Sequence, residues 1–212
     1  ATLGNEVNWQ NDIRYNLGPS IENIKGSSIN DIVMIDNGWK IFRIELKEGD
    51  DILHLKDVDA TDDIDMGAGD DFLIINSDAS DALLDGGTGS DWLAFRTVNW
   101  GTSAKNYTIN SGVAANFENL LGTDNDDTLG GDANANIIVG SAGADTINGN
   151  DGNDTLWGDC KTSACTSLIY QTQSAYSYGS VGNDILIVGA GADTLYGEDG
   201  DDTLDGGAGA DT

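Results

Sequence analysis

Residues 140–159 read GSAGADTINGNDGNDTLWGD, and within them Gly143 and Gly152, Asp145 and Asp154, and Ile147 and Leu156 each recur after nine residues. A helix repeats every 3.6 residues and a strand every two, so an interval of nine fits neither and points to a stacked repeat. Written G-G-x-G-x-D-x-U-x, with U a large aliphatic residue, the unit starts at Gly122, Gly131, Gly140, Gly149, Gly179, Val188, Gly197 and Gly206. The sixth position holds Asp127, Asn136, Asp145, Asp154, Asp184, Asp193, Asp202 and Asp211. The eighth holds Leu129, Ile138, Ile147, Leu156, Leu186, Leu195 and Leu204. In a chain that is 39% hydrophobic, such a run arises by chance about once in a thousand trials, so the register is real.

Each slot has a physical reason. Glycine permits the positive φ angles and close backbone approach of a tight turn. The residues after the aspartate form a short strand whose middle side chain points opposite to its neighbours. Two units then make one flattened coil of 18 residues with the aliphatic side chains inside, and coils stack at about 4.8 Å, parallel strand on parallel strand. Turn lies above turn, which brings the aspartates into a column. Bare carboxylates at that spacing repel, and a hard divalent cation held by carboxylates and backbone carbonyls removes the repulsion. The expected fold is all-β: a parallel β-roll solenoid, two nonapeptides per coil, with an irregular N-terminal block and loop insertions.

Composition agrees. Aspartate and glutamate number 37 against 9 lysines and arginines, a net charge of -28 over 212 residues. Such a surface repels nucleic acid and anionic membranes and attracts cations. The 29 glycines are roughly twice the share expected from average usage. High charge invites disorder, but hydrophobic residues at fixed spacing argue for a fold that something else must stabilise. The start, ATLGNEVNWQ, lacks the basic and apolar regions of a signal peptide, and no stretch approaches the roughly 18 apolar residues of a spanning helix. The chain starts without methionine and stops part-way through a unit, which reads as a segment of something longer.

These repeats resemble the RTX family, the calcium-binding nonapeptide repeats of bacterial proteins exported by type I secretion; the resemblance is strong over 117–212 and looser over 21–96. It implies several calcium ions, each bound by carbonyls at positions 2 and 4 and the aspartate of one turn, with carbonyls at positions 1 and 3 and the aspartate of the turn 18 residues later. Carried over, one site joins Gly189, Gly191 and Asp193 to Gly206, Ala208 and Asp211. A second joins Ser180, Gly182 and Asp184 to Gly197, Asp199 and Asp202. Ser141, Gly143 and Asp145 meet Gly179, Val181 and Asp184, and Asn150, Gly152 and Asp154 meet Val188, Ala190 and Asp193, provided an insertion between them preserves the alternation of sides. Thr123, Asn125 and Asp127 join Gly140, Ala142 and Asp145. The unit at Gly131 carries Asn134 for glycine and Asn136 for aspartate, so its site against Gly149, Asp151 and Asp154 is expected to be weak or empty.

The organisation reads as a flank over 1–25, an irregular block over 26–96, a connecting loop or hairpin and approach over 97–121, and the regular roll over 122–212 with an insertion at 159–178. IENIKGSSINDIV at 21–33 parallels FENLLGTDNDDTL at 117–129. Between them Asp51, Asp63, Asp71, Asp81 and Asp91 are spaced 12, 8, 10 and 10, which implies bulges or loops. Metal sites are expected near Asp63, Gly67, Gly69, Asp71, Asp81, Gly86, Thr88 and Asp91; a β-sandwich with acidic loops is the alternative for this half. Lys40 stands where the register wants aspartate, so no calcium is expected there. Cys160 and Cys165 suit a small disulfide loop in an oxidising location, with free thiols as the alternative; two cysteines without nearby histidine make a poor zinc site.

Catalysis finds little support. His54, the lone histidine, reads as a surface strand residue, and neither H-E-x-x-H nor G-x-S-x-G occurs. The reading is a noncatalytic extracellular calcium-binding module of a large secreted adhesin, surface-layer or matrix protein. The alternative is the repeat region of a secreted toxin or hydrolase whose catalytic domain lies elsewhere. Ice binding would need a regular threonine row, which position 3 does not supply. Calcium ions are the expected partners, then self-association or other cell-surface components; nucleic acid and membrane insertion are not expected.

Overall fold

The computed structural model describes residues 13–15, 23–35, 43–55, 58, 62–75, 83–95, 104–110, 114–160 and 182–212. Among them there is no helix, only short strands, all paired in parallel. The chain is a parallel β-solenoid that forms two compact units, Ala1–Leu93 with Gly112–Phe117, and Ala94–Ser111 with Glu118–Thr212. No described helix is long and apolar enough to cross a membrane.

In the first unit, one sheet runs through β1 (Ile13–Tyr15), β3 (Ile32–Ile35), β5 (Ile52–Leu55), β7 (Phe72–Ile75) and the start of β9 (Trp92–Phe95). The facing sheet runs through β2 (Asn23–Lys25), β4 (Arg43–Glu45), β6 (Asp63–Asp65), β8 (Leu83–Asp85) and β11 (Ala114–Ala115). The register is regular: Asn23 pairs with Arg43, Asp63 and Leu83 in turn, and Ile32 with Ile52 and Phe72. The block that reads as irregular therefore has a strict coil of 20 residues. MGAGDDFLI (66–74) and GGTGSDWLA (86–94) each keep one nine-residue turn. The opposite side of the coil is lengthened to eleven, which scatters the aspartate spacings along the sequence.

The second unit keeps the 18-residue coil. One sheet contains β12 (Asn119–Leu121), β14 (Ile137–Ser141), β16 (Thr155–Asp159) and β19 (Thr194–Tyr196), and the other β10 (Asn106–Thr108), β13 (Thr128–Gly130), β15 (Thr146–Asn150), β17 (Ile185–Val188) and β20 (Thr203–Asp205). β18 (Ala190–Gly191) and β21 (Ala208–Gly209) pair within a turn. Leu129, Ile147, Leu186 and Leu204 form one inward column, and Ile138, Leu156 and Leu195 another. All are buried except Leu204, which is 46% exposed in the last coil. Within the stretch 97–121, expected to hold a connecting loop or hairpin and the approach to the regular roll, β10 pairs in parallel with β13 and β11 with β8.

His54 departs from expectation. It is buried, lying between Met34 and Ile74 on the adjacent strands. The outward face of that sheet also carries Phe72 and Trp92, whose rings stack at 5.8 Å, and Ile74. An apolar outer face favours burial on both sides, as a plain inward-outward alternation does not reveal.

Strand β17 offers a controlled test of the core. Leu186 is fully buried and Ile187 is 39% exposed. Leu186→Ala is expected to cost about 2–5 kcal/mol and Ile187→Ala less than about 1 kcal/mol, read by urea denaturation in saturating calcium. Equal losses would mean that the inward column is not the core.

Candidate calcium column

Many strands begin just after a turn residue that is a rung of a ladder, an aspartate in most cases and Asn136 before β14. In the second unit the Asp127 N–H donates to Asp145 Oδ1 at 2.8 Å, Asp145 N–H to Asp184 Oδ1 at 2.7 Å, and Asp184 N–H to Asp202 Oδ1 at 3.0 Å. The second ladder runs from Asn136 N–H to Asp154 Oδ1 at 2.9 Å, Asp154 to Asp193 at 2.7 Å and Asp193 to Asp211 at 3.2 Å. The first unit has one such ladder, Asp31 to Asp51 to Asp71 to Asp91, with bonds of 2.6, 2.7 and 2.8 Å. One carboxylate oxygen is thereby used by the neighbouring coil. The other, Oδ2, is buried and has no hydrogen-bond partner among the described residues at Asp51, Asp71, Asp145, Asp154, Asp184 and Asp193.

A buried carboxylate oxygen without a donor is costly unless a cation meets it. Around it lie turn carbonyls stacked closely enough that glycine is required. A Cβ on Gly140 would overlap Asp145 Oδ2, and one on Gly182 or Gly191 would overlap the carbonyl of Gly143 or Gly152. Gly143 and Gly152 also adopt φ of 119° and 132°, the left-handed region that glycine tolerates. No cluster of three or more His, Cys, Asp or Glu side chains arises among the described residues. The donor set is instead one carboxylate per coil with backbone carbonyls, all hard oxygen, which fits calcium and not a thiolate or imidazole metal.

Burial raises several of the rung carboxyls above the ordinary carboxylate range. Burial pushes the Asp145 carboxyl up to about 8, against its N–H bond from Asp127, and the charges of Asp127, Asp184 and Asp159 add to the rise. Burial likewise raises Asp51 to about 7, and Asp71, Asp154 and Asp184 to about 6.

The expected ligands are brought together in the regular turns. Thr123 O accepts from Ala142 N–H at 3.3 Å, and Gly189 O from Ala208 N–H at 2.8 Å, so positions 2 and 3 of successive coils face one another. Asn125 and Asn134 lie directly beneath Gly143 and Gly152, and Asn150 beneath Gly189. Across the insertion, Thr146 pairs with Ile185 and Thr155 with Thr194, so the sides do alternate as required. Gly179, Ser180 and Val181 lie outside the described residues, as do Lys40, Asp81 and Cys165. The structure puts Gly158 and Cys160 in the places expected of Gly179 and Val181: Gly140 abuts the Gly158 carbonyl, Gly158 abuts Asp184, and Cys160 N–H donates to Ser141 O at 3.0 Å. The interruption thus falls after Cys160, not at 159. Asp159, buried and in the place expected of Ser180, was missed because the unit seemed to end at Trp157.

In the first unit Gly67, Gly69 and Thr88 share a turn, with Thr88 N–H to Gly67 O and Gly69 N–H to Thr88 O both at 2.9 Å, and Gly86 abuts Asp91. Asp63 is elsewhere: it lies on β6 and pairs with Arg43 at 2.8 Å. Asp31 belongs to the column although its sequence context hides it; the signal was the interval of 20 from Asp31 through Asp91.

The raised carboxyls give the metal-free fold a definite pH dependence. Between about pH 4 and the folded values of about 6 to 8, the fold holds protons that the unfolded chain has released. Its stability is greatest at the acid end and is lost as pH rises through those values. Circular dichroism of the EDTA-treated chain is expected to gain β signal from pH 9 to pH 5, while calcium affinity falls as protons compete. A β signal indifferent to pH would count against the buried column.

A comparison with curated proteins gives no match. A comparison with protein families matches four copies of the RTX calcium-binding nonapeptide repeat over residues 130–159 and 178–212. The matched segments lie in the second unit and hold the rungs Asn136, Asp145, Asp154, Asp184, Asp193, Asp202 and Asp211, and the chain is a parallel β-roll carrying RTX calcium-binding nonapeptide repeats.

Proposed function

We propose that this chain is a noncatalytic extracellular module that folds as it takes up several calcium ions, and that it stiffens a large secreted adhesin, surface-layer or matrix protein exported by the type I route. The observation that supports the reading is the buried Oδ2 of Asp51, Asp71, Asp145, Asp154, Asp184 and Asp193, which has no hydrogen-bond donor among the described residues. In low calcium, a net charge of -28 and a column of carboxylates oppose the coil. Outside the cell each ion clamps two turns. An ion bound only by the folded form contributes RT ln(1 + [Ca]/Kd), about 2.7 kcal/mol at a hundredfold excess. Extracellular modules hold calcium at about 10⁻⁴ to 10⁻³ M, which suits a switch thrown on export.

The bound ion supplies charge neutralisation and a bridge between coils. The chain's own residues do the rest: the turn glycines let carbonyls approach, the rung N–H groups orient each carboxylate, and the aliphatic columns exclude water. A repeat region of a secreted toxin or hydrolase, with catalysis elsewhere, is the second reading; the same column would serve there. The proposal includes a Cys160–Cys165 bridge closing the start of the interruption, which peptide mass spectrometry under non-reducing conditions checks: free thiols in the secreted chain would remove it.

The test of function is circular dichroism during calcium titration of the EDTA-treated chain, with magnesium as control. A cooperative gain of β signal with calcium alone is expected, since magnesium demands tighter octahedral geometry and gives up water reluctantly. A chain already folded in EDTA and indifferent to calcium would overturn the reading.

A further inference from the structure

Three turns differ from the others, and each holds the first rung of a ladder. In turns 26–31, 122–127 and 131–136 the N–H of the second residue faces the rung of its own turn. Ser27 N–H donates to Asp31 Oδ2 at 2.7 Å, Thr123 N–H to Asp127 Oδ2 at 2.6 Å, and Asp132 N–H to Asn136 Oδ1 at 2.8 Å. Hydroxyls complete the closure: Ser27 Oγ donates to Asp31 Oδ2 at 3.2 Å and Thr123 Oγ1 to Asp127 Oδ1 at 3.1 Å. Asp127 Oδ1 also accepts the Lys105 N–H of the coil before it, at 2.6 Å. The Oδ2 of Asp31 and of Asp127 therefore has a donor, where that of Asp51, Asp71, Asp145, Asp154, Asp184 and Asp193 has none among the described residues.

Two positions in the turn account for the difference. The fourth residue of these turns is Ile29, Asn125 or Asn134, where later turns have glycine, as at Gly69, Gly143 and Gly152. In such later turns the second and fourth residues both take positive φ: 104° and 139° at Gly67 and Gly69, 96° and 119° at Ser141 and Gly143, 67° and 132° at Asn150 and Gly152. Neither position does so in the three first turns. A left-handed second residue carries its N–H away from the rung. Gly87 N–H donates to Asp85 Oδ1 at 3.0 Å and Asn150 N–H to Asn148 Oδ1 at 3.1 Å, each two residues back along the chain. In the first turns a short polar second residue holds the other conformation by bonding to local backbone, with Asn125 N–H donating to Thr123 Oγ1 at 3.2 Å and Asn134 N–H to Asp132 Oδ1 at 2.8 Å. A fourth residue with a Cβ disfavours the positive φ.

A carboxylate taken out of water needs either a cation or enough N–H and O–H donors. The first turns supply the donors themselves, and the closure at Asn136 holds with no charge on the rung at all, its Nδ2 donating to Glu118 O at 3.0 Å.

We infer that turns 26–31, 122–127 and 131–136 are metal-free ends, closed by their own hydrogen bonds, and that the calcium ligands of each ladder begin at its second rung, Asp51, Asp145 or Asp154. The inference rests on the calcium-coupled folding proposed above, and it removes Thr123, Asn125 and Asp127 from the ligands that the repeat pattern leads one to expect. Each ladder keeps one turn whose shape does not depend on calcium, and the calcium-held coils stack upon it.

The test counts the calcium ions held by the full chain, by native mass spectrometry in saturating calcium. Asparagine keeps the acceptor that a closed turn uses, as Asn136 does. Asp31→Asn and Asp127→Asn are each expected to keep the full count of the unmutated chain, whereas Asp51→Asn and Asp145→Asn are each expected to lose at least one ion. Loss of an ion from Asp31→Asn or Asp127→Asn overturns the inference, and so does a full count in Asp51→Asn or Asp145→Asn. If Asp31→Asn and Asp127→Asn do not fold, hydrogen exchange of the unmutated chain in saturating calcium decides. The Ser27 and Thr123 amides are then expected to exchange roughly tenfold more slowly than those of Lys47 and Glu198, the second residues of later turns, with φ of 85° and 72°. Equal rates overturn the inference. An unmutated chain that holds no calcium fells the functional reading and this inference with it, whereas a chain that holds calcium and loses an ion with Asp127→Asn fells only the metal-free ends.

Discussion

A column of carboxylates, buried in most coils, is the constraint on which the structure depends. A typical rung spends one oxygen on the backbone N–H of the coil before it, as Asp145 Oδ1 does with Asp127 and Asp184 Oδ1 with Asp145. That bond sets the stacking register locally, turn upon turn. At Asp51, Asp71, Asp145, Asp154 and Asp184 it also leaves a second oxygen buried near other carboxylates, where desolvation and like charge both disfavour ionisation. The same geometry that aligns the coils makes them unstable as anions without a positive partner. A cation bound only between stacked coils would therefore add its binding free energy to that of folding.

This constraint explains why the coil length differs between the units. In the second unit both sides of the coil carry a column, Asp127 to Asp202 on one and Asn136 to Asp211 on the other, and both sides keep nine residues. In the first unit the described ladder runs on one side only, from Asp31 to Asp91. The other side stretches to eleven, and its strands meet through an outer ladder of charge, with Lys25 to Glu45 at 3.1 Å and Arg43 to Asp63 at 2.8 Å. A partly exposed ion pair tolerates a change of loop length, because it is worth little and its side chains are long. A buried rung does not, because its hydrogen bond has one geometry.

The same logic governs the interruption after Cys160. Cys160 still donates to Ser141, and the next described turn resumes with Gly182 against the Gly143 carbonyl. The added residues enter between Cys160 and Gly182, and the ladder continues across them from Asp145 to Asp184 and from Asp154 to Asp193. An extra segment at such a place costs only loop-closure entropy, which grows slowly with length. An insertion within a strand would instead turn the aliphatic column outward.

Much of this was legible in the amino-acid sequence. The interval of nine from Gly122 to Asp211 determined the parallel roll, the inward Leu and Ile columns and the turn aspartates, because the repeat must satisfy steric, apolar and electrostatic demands in the same slots. The tertiary structure decided what depends on which residue lies above which. It showed that Asp31, Asp51, Asp71 and Asp91 form one ladder while Asp63 turns away to Arg43, since a vertical neighbour 20 residues distant leaves no mark on local spacing. It placed Gly158, Asp159 and Cys160 before the interruption, where no unit boundary announced them, and buried His54 beneath an outward face that alternation alone reads as solvent. It also put Lys105 in line with the aspartates, 22 residues before Asp127, an offset that belongs to neither repeat and becomes visible only when the strands are paired.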